Sequence, residues 1–77
     1  LMNNQFVADA AERLADRLQT EPQLANDDAR LDRLWLSLLG RPPEPDELDE
    51  ARSFLGRASW PQLVHALFAT NEFMYLD

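Results

Sequence analysis

Four carboxylates, Asp46, Glu47, Asp49 and Glu50, crowd one short stretch of this 77-residue chain. Paired carboxylates can share a proton for general acid–base work or hold a cation. No histidine or cysteine accompanies these four, and their spacing is not that of a calcium loop. They follow Pro45 directly, so the plainer reading is negative charge placed on the positive end of a helix that starts there. The single histidine, His65, could serve a hydrolase only with a nucleophile or a metal beside it. Ser37, Ser53 and Ser59 all have ready structural roles, and the chain has no cysteine. Trp35 and Trp60 could stack a ligand, yet each continues an aliphatic stripe, as core anchors do. A small-molecule pocket between the two tryptophans would require a cavity that a sequence does not display. No catalytic, cofactor-binding or metal-ligating residue is assigned, and no cofactor is expected.

The elements that carry these residues read as helices throughout. The first is expected over about 5–18, capped by Asn3 or Asn4. Phe6, Val7, Ala10, Ala11, Leu14 and Leu18 share one of its faces, with Asp9, Glu12, Arg13 and Asp16 opposite. A polar loop containing Pro22 leads to a second helix over 27–39, capped by Asn26 or Asp27. Leu31, Leu34, Trp35, Leu38 and Leu39 follow the helical template without a miss. Leu36 lies off that stripe, which predicts a central helix that meets neighbours on two sides. Gly40 fits the position after a helix where a left-handed backbone favours glycine. Pro42 and Pro43 then bar continuation. A third helix is expected over 45–55, opened by Pro45 at its favoured first position and ended at Gly56. Leu48, Ala51, Phe54 and Leu55 form its narrow apolar stripe. Ser59-Trp60-Pro61 signals a fourth helix over 60–70, with Trp60, Leu63, Val64, Leu67 and Phe68 on one face and His65 at its boundary. Thr70 to Asp77 holds Phe73, Met74, Tyr75 and Leu76, too apolar for a free tail, so this segment should pack back or meet a partner. The pattern predicts an all-α fold, a small four-helix bundle with orthogonal or antiparallel packing, forming a single helical domain over 1–77.

Composition narrows the partners. Fourteen acidic side chains face seven basic ones, all Arg, for a net charge of -7. Phosphate binding requires clustered positive charge, so nucleic acid is not an expected partner. Anionic membrane surfaces are disfavoured for the same reason, and no apolar run reaches the ~20 residues of a membrane span. A chain of this size buries only ~60% of its unfolded surface, which makes it marginal unless its helices pack efficiently. The opening at Leu1 leads us to expect a fragment of a larger protein.

Three pieces of the chain, taken in order, carry a resemblance. They are Met2-Asn3-Asn4-Gln5-Phe6-Val7 leading into an Ala-rich helix, the corner Leu39-Gly40-Arg41-Pro42-Pro43-Glu44-Pro45-Asp46-Glu47-Leu48, and Trp60 with Leu63, Ala66-Leu67 and Asn71-Glu72-Phe73-Met74-Tyr75-Leu76-Asp77. Together they resemble the C-terminal end of the planctomycete-type domain of unknown function, found in large bacterial proteins that often carry a cytochrome-c-like planctomycete domain. One departure is Gln5, where that pattern has proline. The resemblance implies a bacterial, exported parent protein, periplasmic or at the cell surface, and it carries over no catalytic residue. A looser similarity links the Leu-Gly-Arg-x-Pro corner to helical assembly modules, at the level of fold.

The expected role is a non-catalytic structural or protein-interaction domain. Its partner would be the upstream region of the parent protein or another protein, met across Phe73, Met74 and Tyr75. The alternative is an accessory domain that completes an enzyme or redox protein whose active site lies elsewhere. Arg41 is expected to pair with Glu72, or with carbonyls at a helix end, and so lock the corner to the C-terminal segment. Gly40, Trp35 and Trp60 complete the set of structural residues.

Overall fold

A computed structural model describes residues 5–74, with side chains described for residues 5–70. The chain folds into four α-helices, α1 (Gln5–Thr20), α2 (Asp27–Leu39), α3 (Pro45–Leu55) and α4 (Trp60–Met74), and the described residues contain no strand. The Cα radius of gyration of 12.0 Å is near the ~11.5 Å expected for a compact chain of this length. The architecture is the small all-α, four-helix bundle that the periodicity predicts.

Local signals start and stop the helices. Asn26 is extended and its side-chain oxygen accepts from the Ala29 amide at 2.8 Å, capping α2. Asp27 and Asp28 add negative charge to the same helix end. Gly40 closes α2 in the left-handed region, at φ 73°, and its amide donates to the Leu36 carbonyl. Ser59 caps α4 reciprocally: its Oγ accepts from the Gln62 amide, and Gln62 Oε1 accepts from the Ser59 amide. Gly56, with a right-handed φ of -71°, follows α3. The asparagines expected to cap α1 lie outside the described residues.

Burial selects part of each expected stripe. Ala11, Ala15, Leu18, Leu31, Leu34, Trp35, Ala51, Trp60, Leu63 and Val64 form one core, joined by Leu24 from the α1–α2 connection. Each large aliphatic side chain buried in this way contributes roughly 1.5–3 kcal/mol. The longest interface runs between α1 and α4, where Ala11 and Ala15 leave room for the backbones to approach. α1 is thus part of the core rather than a segment preceding it. Both α2 and α4 touch all three other helices, while α1 and α3 do not meet among the described residues.

Several expectations need correction. Phe6 sits on the expected face of α1 but is 75% exposed, whereas burial on that face begins at Ala11. Leu36 is 45% exposed, so α2 does not bury a second side. α2 still touches all three other helices, and α4 shares that central place. α1 runs two residues past Leu18. α4 continues as helix to Met74, where a separate closing segment was expected after residue 70. Nothing in Ala69-Thr70-Asn71-Glu72 breaks a helix, and the Thr70 hydroxyl donates to the Ala66 carbonyl without interrupting it.

Candidate functional site

Between α3 and α4 the core is incompletely covered. A groove of about 360 Å³ opens there, near the lower end of ordinary ligand sites. Trp35, Ala51 and Leu63, all buried, form its floor. Phe54 and Leu67, half-buried, make its walls, and Ala66, Thr70, Glu47, Glu50 and Arg57 stand around its mouth. Three helices are needed to make it: α2 supplies the indole, α3 one wall and α4 the other.

The mouth is electrostatically uneven. The Arg57 guanidinium lies 5.3 Å from the centre of the Phe54 ring and donates to Ser53 Oγ, so it is folded onto its own wall. Glu47 is held from the opposite direction. Its two oxygens accept from Arg41 Nη1 and Nη2 at 2.8 and 2.9 Å, and Oε1 also accepts from the Glu44 amide at 2.8 Å. The paired Arg41 guanidinium, then the Glu44 amide, pull the Glu47 carboxyl down to about 2, against a smaller opposing push from desolvation. Trp35 Nε1, buried beneath, makes no hydrogen bond of its own. It is near enough to Glu47 to favour the charged form slightly, but three donors already direct that carboxylate toward Arg41 and Glu44. Among the described residues neither Glu50 nor Arg57 forms an ion pair, so the mouth carries one such charge of each sign.

Arg41 therefore has a carboxylate partner, and that partner is Glu47, six residues on. The side chain of Glu72 lies outside the described residues, as do those of Phe73, Met74 and Tyr75. The bidentate pair folds the Gly40–Pro45 corner onto the start of α3, with a side chain 44% exposed on Arg41 and 34% on Glu47. A second bidentate pair, Arg52 Nε and Nη2 to Asp28 Oδ1 and Oδ2 at 3.0 and 2.6 Å, ties α3 to the start of α2. That pair lowers the Asp28 carboxyl and raises the Arg52 guanidinium from their ordinary values. The capping role of Glu47 was readable from its place three residues after Glu44 with proline between. Its second role, gripping Arg41, was not. The Asp28–Arg52 tie spans 24 residues and depends on how α2 and α3 cross.

The four carboxylates of the α3 opening do not converge. Among the described residues no group of three or more His, Cys, Asp or Glu is arranged to hold a metal ion. Trp60 belongs to the core and does not line the groove, so the two tryptophans do not sandwich a common cavity there. A larger volume of about 510 Å³ lies over Asp9, Glu12, Arg13, Asp16 and Arg17, but all five are on α1, and the solvated face of a single helix has no walls. No helix among the described residues is long and apolar enough to cross a membrane.

Residues 1–55 match the family described as PSD1: Protein of unknown function (DUF1553). The match covers α1 and α2 and ends with α3, at the near wall of the groove. No curated protein and no solved structure matches the chain.

Proposed function

The chain belongs to the PSD1 family of proteins of unknown function, and from that premise we propose that it is a non-catalytic helical domain that binds protein. The observation that carries this reading is the groove between α3 and α4. Its floor and walls are apolar side chains that the described residues leave partly uncovered. A site for chemistry would need polar groups converging on one point, whereas at this mouth Glu47 is turned toward Arg41 and Arg57 is folded onto its own wall. The sequence resemblance supports a place near the C-terminus of a large bacterial protein of planctomycete type, exported to the periplasm or cell surface. The preferred partner is the upstream region of that protein, and a second protein is the other candidate.

Sedimentation equilibrium tests this directly, run on the chain alone and with the upstream region added. A stable 1:1 complex that Ala66→Gln weakens places the upstream region on the groove. Ala66 is exposed at the mouth, and a longer, helix-compatible side chain there obstructs entry without disturbing the core. A chain that remains monomeric and indifferent to the upstream region overturns that partnership.

A further inference from the structure

We propose that the groove between α3 and α4 takes the chain's own C-terminal segment, through Phe73 and Met74, and that a binding partner enters by displacing it. The seating stands on the register of α4, whereas the displacement rests on the protein-binding reading above. α4 lines the groove with Leu63, Ala66, Leu67 and Thr70, and Thr70 is the last residue whose side chain is described. The helix does not stop there, since its backbone runs on to Met74. Along it, Leu63, Leu67, Thr70 and Met74 recur at steps of four, three and four, and Phe73 follows Ala66 by seven. Two turns of helix return a residue to the same face. The stripe that walls the groove thus continues into two large apolar residues. Helical side chains lean toward the N-terminus and cover the turn before their own Cα, which would carry this pair over Thr70, toward Glu47 and the Trp35 floor. Charge selects no separate occupant, because Glu50 and Arg57 leave one unpaired charge of each sign at the mouth. Tethering does select one. A segment attached beside the groove is present at an effective concentration on the order of millimolar, without any cost of association.

Nuclear Overhauser contacts in the full 77-residue chain test the seating. The Met74 methyl or the Phe73 ring should show contacts to the Trp35 indole and the Glu47 side chain, which belong to α2 and α3. Their absence overturns the proposal, whatever a partner does. Titration with the upstream region tests the displacement. Met74→Ser should tighten that association about tenfold, the gain expected when a segment that holds the groove about nine-tenths of the time is released. Leu76→Ser, which removes an apolar side chain beyond the described helix, should leave it unaltered. Circular dichroism confirms that both variants keep their helices. An affinity that Met74→Ser leaves unchanged or weakens overturns the displacement. Equal tightening by Leu76→Ser assigns the effect to apolar character in general and overturns the register. If the upstream region does not bind at all, the protein-binding reading fails and displacement fails with it, while the contacts to Trp35 and Glu47 still decide the seating.

Discussion

The α1–α4 side of the molecule and its α3 side are held by different forces. Where α1 meets α4, Ala11, Ala15, Leu18 and Val64 are buried almost completely and small side chains bring the helices close. α3 has one buried residue, Ala51, with Leu48, Phe54 and Leu55 packed against the core only in part, and it carries two exposed arginine–carboxylate pairs, Arg41–Glu47 at its start and Arg52–Asp28 nearer its end. Apolar packing is insensitive to pH and salt over ordinary ranges, whereas exposed ion pairs respond to both. A helix tied down in this way can leave an uncovered apolar surface beside it without costing the fold its core. The groove lies on the more shallowly packed side.

The largest predicted effect falls on the packed side. Leu34→Ala should destabilise by about 2–5 kcal/mol, because Leu34 is fully buried and its neighbours cannot all collapse into the void. Thermal unfolding measures it, and a shift of only a few degrees would show that the core is looser than its burial implies. Next comes the hinge between the two regions. Gly40→Ala should cost roughly 1–2 kcal/mol, because an L side chain resists φ 73° although a Cβ there meets no atom within 4 Å. The cost is then purely one of backbone conformation, so Gly40→Asn should be milder, and denaturant titration of the pair checks this.

The third prediction separates the sides by acid. Glu47 is held down to about 2 when folded, against an ordinary value of 4.5. Folding therefore favours its ionised form, and that stabilisation is complete above pH ~4.5 and lost as pH falls through ~2. Hydrogen exchange of α3 amides should accelerate over that window before those of α1, and Arg41→Gln should flatten the response by removing its main cause. Simultaneous loss of protection in all four helices would make the contrast between the regions false. The smallest effect belongs to Asp28→Asn. It should lower the melting temperature slightly at low ionic strength and not measurably in high salt, because both partners of its ion pair are exposed.

The sequence was most legible where one residue type has one job. Periodicity placed the four helices, Gly40 marked a left-handed stop, and Ser59 with Pro61 marked a start. Legibility failed where a residue had a choice of partners. Arg41 grips Glu47, six residues on across the tight corner, a pairing that its place in the sequence did not single out, and the side chain of Glu72, its expected partner, lies outside the described residues. Phe6 fitted its stripe perfectly yet lies exposed, because a helical pattern shows which face is apolar and not how far along the helix the core extends. Ala15 carries too little apolar area to dominate a pattern, but it is fully buried. The groove was invisible for a related reason. Among the described residues it is a shortage of covering side chains across three helices, and no single segment records a shortage.

Leu24 has a meaning beyond its place in the core. It sits in a connection that composition marks as slack, yet its side chain is only 7% exposed and its amide donates to the Glu21 carbonyl. Two residues later, Asn26 caps α2. The second connection is occupied by Gly40 and the Arg41 grip on Glu47, and the third by the Ser59 cap. None of the three has a stretch free of duty. An inserted residue would displace a plug, a brace or a cap, so related chains that differ in length should do so outside these connections. Where one does not, the residue standing in for Leu24 should have changed with it.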